Sequence, residues 1–268
     1  MKRSAGESQK PSEKPGSARG ASARRLAVVG TMVLAVFVVA GVVGAVVRDN
    51  KSKQLAPPAS AAGPSALAVP VWGHAPVTLT VYEDMRDPAS ATFAQTYDPT
   101  LARLIASGTV NVLYRQIAGV DAAQGGSGSL NAGNALGCAQ DAKDFAEYRT
   151  VLLANQPALS DDAFGSKAHL ITLAKKVNGL DTDVFRGCVD GGQHNVWVKD
   201  STKDFTSAQL GATPVLQMQV YGQDQPQTLI GGSTKLSPQD LVNQVIAVAE
   251  NMPASSVTGT PAPSPSAS

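Results

Sequence analysis

The chain has 268 residues, a formal net charge of +1, 16% charged residues and two cysteines. This length allows one or two domains. Basic residues are concentrated before residue 26, whereas residues 70–252 contain 12 Lys/Arg and 18 Asp/Glu. A mildly acidic central part without interleaved basic and aromatic residues excludes nucleic acid as a partner.

The first predicted element is an apolar run of 22 residues without a charge, at positions 26–47. As a helix it would be roughly 33 Å long, enough to cross a bilayer core of about 30 Å. The apolar part of a cleavable signal peptide has only about 7–15 residues. The run therefore predicts a single transmembrane helix, and Arg24 and Arg25 before it place the N-terminus in the cytoplasm. The alternative is a cleaved export signal with Ala59-Ser60-Ala61 as its cleavage site.

Three segments around this run are predicted to lack a fold. Residues 1–25 are rich in Ser, Gly and charge, which indicates a disordered cytoplasmic tail. Residues 48–67 are rich in Ala and Pro and indicate a flexible linker. Residues 253–268 are a disordered Pro/Ser-rich tail. Residues 68–252 remain as one globular domain, which the transmembrane helix would hold outside the cell membrane.

The domain begins with alternating strand and helix patterns. Residues 77–82 and 110–117 are β-branched and apolar and predict strands, and residues 90–105 between them have apolar positions at helical spacing. A helical insertion follows over about residues 130–208. Its pieces are predicted at 130–155, 161–177, 182–189 and 197–208, with N-caps at Ser160 and at Asp181 or Thr182.

The last part of the domain returns to strands. Residues 214–220 and 228–230 predict a hairpin around Tyr221-Gly222-Gln223-Asp224. Ser237 is the predicted start of the last helix, with Pro238 at the first helical position. The order β-α-β, helical insertion, β-β-α predicts an α/β fold.

Three residue groups carry a family resemblance. The first is Ala75-Pro76-Val77-Thr78-Leu79, the second is Gly137-Cys138-Ala139 followed by Tyr148 and Asn155-Gln156, and the third is Leu210-Gly211-Ala212-Thr213-Pro214. Their order and spacing resemble the actinobacterial, membrane-anchored branch of the DsbA-like thiol oxidoreductases. The resemblance implies a thioredoxin-like fold with a helical insertion subdomain.

The Cys-Pro-x-Cys motif of that family is missing. Its position after the first strand is occupied by Asp87, Pro88, Ala89 and Ser90. Disulfide exchange requires a thiolate sulfur, which neither a carboxyl nor a hydroxyl group supplies. The resemblance therefore implies a degenerate motif without a catalytic residue. Helix capping is the simpler reason for the pair Asp-Pro, because Asp is a favoured N-cap and Pro is favoured next to it.

The resemblance also implies a structural disulfide between Cys138 and Cys188, which match an extra disulfide of that branch. Disulfides persist in an extracytoplasmic compartment. A catalytic redox pair and two buried free thiols are the alternatives. Glu83 and Asp84 have no catalytic cysteine pair whose reactivity they could adjust, and they are predicted to be surface charges. Residues 125–129 are predicted to be a flexible loop.

Thr213 and Pro214 are the predicted peptide-binding residues. In the resembling family this proline is cis, its loop faces the active site, and the backbone beside it pairs with an extended peptide. The alternative is that the proline is only a retained element of the fold.

The sequence predicts neither a metal site nor a cofactor, since His74, His169 and His194 lack metal-ligand spacing to one another and to the cysteines. The leading hypothesis is a redox-inactive binding or scaffolding module in the cell envelope, with a peptide or an envelope protein as partner. The alternatives are a thiol-disulfide oxidoreductase or isomerase using Cys138 or Cys188, and a chaperone that holds peptides at the cis-proline groove.

Overall fold

The computed structural model describes residues 57–71, 75, 77–221, 223 and 225–251. The predicted transmembrane helix at 26–47 and the predicted tails at 1–25 and 253–268 lie outside these ranges. Within them, no helix combines the length and the apolar character needed to cross a membrane.

A five-stranded sheet lies at the centre of the domain. The strands are β1 (Val69–Val71), β2 (Val77–Glu83), β3 (Val110–Gln116), β4 (Val215–Val220) and β5 (Gln227–Ile230). Their order across the sheet is β1-β3-β2-β4-β5, in which β2 and β3 are parallel and the other neighbours are antiparallel. The last three residues of the central strand β2 are all buried. The chain therefore leaves the sheet at a buried position.

The described residues form eight α-helices. They are α1 (Pro88–Ala106), α2 (Gly119–Gln124), α3 (Gly128–Asp141), α4 (Phe145–Ala154), α5 (Lys167–Ala174), α6 (Asp183–Gly191), α7 (Asn195–Ser207) and α8 (Pro238–Glu250). Helices α1 and α8 contact each other, whereas α2 to α7 all lie between β3 and β4 in the chain. The architecture is the predicted α/β fold with a helical insertion.

The helical insertion shares one apolar core with the sheet. Trp197, Tyr148, Phe164 and Phe185 are its largest fully buried side chains. The Tyr148 hydroxyl donates to the carbonyl oxygen of Leu170 at 2.8 Å, which satisfies the polar end of a buried ring. The insertion is therefore packed as part of the domain, which holds its helices firmly beside the sheet.

Helix starts follow the chemistry of N-capping. Thr182 and Ser237 cap α6 and α8, as the sequence predicts, by accepting backbone N–H bonds. Ser160 does not start a helix. Residues Ala163–Gly165 first form a short 3-10 turn, so that α5 begins later, at a cap formed by Ser166.

The predicted single helix over residues 130–155 is two helices, α3 and α4. Lys143 adopts a left-handed conformation with φ 70°, and the Asp144 N–H donates to the carbonyl oxygen of Ala139. The break turns the chain so that Phe145 packs on Tyr114 of β3, with ring centroids 5.7 Å apart. A tertiary contact thus interrupts a sequence with continuous helical propensity.

The domain also begins earlier than its predicted start at residue 68. The Trp197 indole N–H donates to the carbonyl oxygen of Ala66 at 3.0 Å, the Ala59 N–H donates to Asp141 at 2.7 Å, and Leu67 is buried. The end of the predicted linker, residues 57–67, therefore packs against the insertion. The insertion itself begins with the short helix α2, ahead of the predicted position 130.

Candidate functional site

The Asp-Pro-Ala-Ser segment lies where β2 leaves the sheet and α1 begins. Asp87 is the N-cap of α1, and its Oδ1 accepts the Ala89 N–H at 2.9 Å. Pro88 and Ala89 are exposed, whereas Ser90 is buried. Capping of this helix is thus a real role of Asp87, as the sequence predicts.

The structure brings the cis-proline loop onto this segment. The Thr213–Pro214 peptide bond is cis, and Thr213 Oγ1 donates to Asp87 Oδ2 at 2.7 Å. Ser90 Oγ donates to the same oxygen at 3.2 Å. The motif segment and the cis-proline loop therefore meet, and hydrogen bonds to the carboxyl group of Asp87 connect them.

The insertion contributes a residue to the site that sequence reasoning did not assign. The Gln156 side-chain amide donates to the backbone carbonyls of Met85 and Asp87, at 2.8 and 2.9 Å. These bonds fix the backbone on both sides of Arg86. The sequence signal for Gln156 was the pair Asn155-Gln156. This pair is part of the family resemblance, but the resemblance assigned it no role.

Glu83 and Asp84 are not surface charges, contrary to the sequence prediction, because both are fully buried. Glu83 forms an ion pair with Arg149 of α4 at 2.7 Å and accepts the Gln116 side-chain amide at 2.8 Å. Arg149 also pairs with Asp98 of α1 at 2.7 Å. These partners replace the water that a buried carboxylate loses, so the charge can stay inside.

Asp84 is hydrogen-bonded to the Asp-Pro-Ala-Ser segment through Ser90. Its carboxyl oxygens accept the N–H groups of Arg86 and Val120, at 2.9 and 2.8 Å, and its own N–H donates to Ser90 Oγ at 3.2 Å. Burial raises the pKa of Asp84 to about 6, although the two N–H bonds act in the opposite direction. The site therefore contains one group that can titrate near neutral pH.

The predicted flexible loop at 125–129 is held by side chains of the domain. Arg86 is buried and pairs with Asp121 at 2.7 Å and Asp162 at 3.1 Å. Asp162 in turn accepts the N–H groups of Ser127 and Gly128, both at 2.9 Å. The amide groups of Ser127 and Gly128 are thus paired with a carboxyl group of the domain.

A sequence model of a family described as thioredoxin matches residues 72–231, which is more than half of the chain. The chain belongs to this thioredoxin family. No curated protein sequence matches it significantly.

Solved thioredoxin-fold structures agree with the architecture. Oxidised DsbA from Mycobacterium tuberculosis is 21% identical over 76% of this chain and 93% of that one, with a TM-score of 0.53. The reduced disulfide bond oxidoreductase DsbG of the same organism is 21% identical over 76% and 88%, with a TM-score of 0.52. MdbA, a thiol-disulfide oxidoreductase from Actinomyces oris, is 17% identical over 74% and 96%, with a TM-score of 0.55. At these identities the likeness shows a DsbA-like thioredoxin fold.

Both cysteines lie away from the motif position of this thioredoxin domain. Cys138 on α3 and Cys188 on α6 form a disulfide with a Cα–Cα distance of 5.9 Å. Both residues are buried. The bond joins two helices of the insertion, whereas the motif segment and the cis-proline loop lie at the ends of β2 and β4.

The structure places His194 beside this disulfide, which the sequence spacing did not indicate. One potential ligand atom from each of Cys138, Cys188 and His194 lies within 4.8 Å of the others. His194 Nε2 is 2.8 Å from Asp141 Oδ2. The three residues do not have metal-ligand spacing in the sequence. They come together because α3 packs against α6 and α7.

Proposed function

We propose that this chain is a membrane-anchored, extracytoplasmic binding module that holds an extended segment of a cell-envelope protein without exchanging disulfides. The observation that carries the proposal is the 2.7 Å hydrogen bond from Thr213 Oγ1 to Asp87 Oδ2. This bond involves the carboxyl group that, on this proposal, stands where exchange would need a thiol. It also ties that group to the loop beside Pro214.

The position of the sulfur atoms supports redox inactivity. In this fold the reacting thiol lies at the start of the helix after the central strand, where the helix N-terminus favours a thiolate. Asp87 occupies that place, and Ser90 lies one turn further along. The two cysteines of the chain are bonded to each other inside the insertion.

The backbone before Pro214 supports peptide binding. In the described part of the chain, residues 211–213 make no hydrogen bond to another backbone group. Gly211 and Ala212 are exposed, and the half-buried Pro214 leads directly into β4. Unpaired backbone groups next to a strand can receive an extended peptide by β-type hydrogen bonds.

Binding is tested with the full chain and reduced, carboxymethylated insulin B chain, an extended probe without exchangeable thiols. We expect saturable binding, and we expect Ala212→Trp to weaken it by about tenfold or more, equivalent to about 1.4 kcal/mol. Ala168→Trp, at an exposed position of α5, is the matched control and should bind like the wild type. Equal affinity of all three proteins would place the peptide elsewhere and overturn the assignment.

Redox inactivity is tested separately, by insulin reduction and by oxidative refolding of a reduced substrate. Both rates should equal the uncatalysed background. Turnover that disappears in Cys188→Ser would instead favour the alternative of an oxidoreductase that uses the insertion cysteines.

The membrane anchor is tested with protease added to intact cells. The part of the chain after residue 47 should be digested, while an N-terminal epitope remains protected. Protection of the C-terminal part would reverse the orientation, and release of a soluble mature chain would establish cleavage.

A further inference from the structure

The first described residues of the chain are docked on the helical insertion. Residues 57–61, called the strap here, contain Ala59-Ser60-Ala61, which the sequence offers as the cleavage site of an export signal. The Ala59 N–H donates to Asp141 Oδ1 at 2.7 Å, and the Ala59 carbonyl oxygen accepts the Gln140 side-chain amide at 3.0 Å. Pro58 is buried. The strap is therefore held at the C-terminal end of α3.

The docked strap lacks the extended shape in which a protease binds its substrate. The Ala61 N–H donates to the carbonyl oxygen of Pro58 at 3.1 Å, which closes a turn, and Ser60 has a left-handed conformation with φ 57°. Ala59 and Ser60 are exposed and have small side chains, so they leave this part of the chain accessible. Cleavage of a folded chain follows local opening. The turn and the two hydrogen bonds of Ala59 therefore protect the strap, rather than burial of these two side chains.

The disulfide holds both sides of the place where the strap is docked. Asp141 lies three residues after Cys138 on α3, and its Oδ2 is 2.8 Å from His194 Nε2. His194 follows α6, and the N–H of the neighbouring Gln193 donates to the carbonyl oxygen of Cys188 at 3.3 Å. The disulfide thus links these two sides covalently. Without this link, we expect local opening around the strap to require less free energy.

We propose that the strap is a protease-processing site, which the oxidised insertion protects and which reduction of the Cys138–Cys188 disulfide exposes. The first step is exchange with a dithiol reductant: the protein disulfide gains two electrons and two protons, and the reductant becomes a cyclic disulfide. In the second step a protease that accepts small side chains hydrolyses the peptide bond after Ala59 or Ala61. Water supplies the hydroxyl group of the new carboxyl terminus and a proton of the new amine.

The position of the strap in the chain gives this cleavage its consequence. The strap lies between the apolar run at 26–47 and the first strand of the sheet, which begins at Val69. On the proposed membrane anchor, a cut in the strap would release the domain from the membrane. The cleavage itself does not depend on the anchor, so it is measured on the purified chain.

The test is limited proteolysis of the full chain with elastase, which cuts after small residues, before and after reduction with a dithiol that is removed anaerobically by gel filtration. New N-termini at Ser60 and Ala62, quantified by mass spectrometry, measure cleavage of the strap. We expect this cleavage to be about tenfold faster or more after reduction. Cys138→Ser with Cys188→Ser should be cut at the fast rate without any reductant.

Two carboxyl variants test the docking contact. Asp141→Ala removes the acceptor of the Ala59 N–H, so it should raise cleavage of the oxidised chain by about tenfold although the disulfide is intact. Asp190→Ala, at an exposed carboxyl group of α6, is the matched control and should be cut like the wild type in both redox states.

The order of the cuts covers the case in which reduction unfolds the whole insertion. Cleavage of the strap should come first, and fragments cut within α3 to α7 should appear later. The proposal is overturned if the oxidised and reduced chains are cut in the strap at equal rates, or if oxidised Asp141→Ala is cut no faster than the oxidised wild type. It is also overturned if cuts within α3 to α7 appear as early as those in the strap, because the strap would then have no separate opening.

Discussion

At the scale of single residues, Asp84 is a buried carboxyl group whose pKa lies above that of an exposed aspartate. Its oxygens accept backbone N–H bonds from Arg86 and Val120. Burial disfavours the charged form and raises the pKa from 3.8 to about 6. The folded protein therefore keeps a proton on Asp84 over a pH range in which the unfolded chain has lost it.

This difference predicts a pH-dependent stability. A folded pKa above the unfolded value means that the native state binds more protons between about pH 4 and pH 6, so the free energy of unfolding falls as pH rises through this window and is level above it. Asp84→Asn should flatten that part of the profile, measured by urea unfolding at several pH values. Asp190→Asn, at an exposed carboxyl group, is the matched control. Equal slopes in both variants would contradict the burial argument.

The burial of Glu83 could not be predicted from the local sequence, because its partners are distant in the chain. Arg149 is 66 residues away and Gln116 is 33 residues away. An acidic pair after a strand is usually solvated, and only the fold shows that α4 supplies an arginine at this point. The prediction of Asp87 as a helix cap succeeded for the opposite reason, since its acceptor bond reaches only two residues along the chain.

At the scale of elements, the disulfide connects α3 and α6 across a separation of 50 residues. Closing a loop of this length removes conformational entropy from the unfolded chain, worth about 4 kcal/mol in the chain-entropy description. Helices α4 and α5 lie within this loop. The bond therefore restrains most of the insertion.

Replacing both cysteines with alanine should lower the free energy of unfolding by about 4 kcal/mol under non-reducing conditions. Peptide binding at the Thr213 loop should persist in the folded variant, since that loop lies outside the insertion. Denaturant unfolding with and without a reductant measures the effect, because the wild type should lose the same stability on reduction. A variant as stable as the oxidised wild type would show that the bond contributes nothing to the fold.

Elements whose starts are set locally were predicted well, and those set by packing were not. Thr182 and Ser237 cap helices through side-chain bonds to backbone groups three residues ahead. The break between α3 and α4 depends instead on Lys143 in a left-handed conformation and on the contact of Phe145 with Tyr114. Short elements such as β1 and α2 contain too few residues to establish a hydrophobic period.

At the scale of the whole molecule, the topology brings Asp87 and Thr213 together over a separation of 126 residues. The family resemblance predicted this meeting, whereas residue patterns alone could not. The hydrogen bond between the two side chains was not predicted. It supports the proposal that the scaffold keeps the geometry of an exchange site and has different chemistry at the first position of that site.

That interpretation predicts a gain of function. Asp87→Cys with Ser90→Cys should produce measurable insulin reduction by the full chain, since the first thiol would sit at the N-terminus of α1, which favours the thiolate. Asp87→Ala with Ser90→Ala is the matched control, because it removes the same carboxyl and hydroxyl groups without adding sulfur. Both variants lose the N-cap of α1, worth about 1 kcal/mol, so their folding is compared by circular dichroism before their rates.

The two variants separate the contributions of scaffold and chemistry. If the double cysteine variant turns over and the double alanine variant stays at background, the groove beside Pro214 still presents a substrate, and the missing sulfur alone would explain the proposed inactivity of the wild type. If both fold and neither turns over, the loop at Thr213 no longer admits a disulfide substrate. The site would then be specialised for a different ligand, because its shape as well as its chemistry would differ from that of an exchange enzyme.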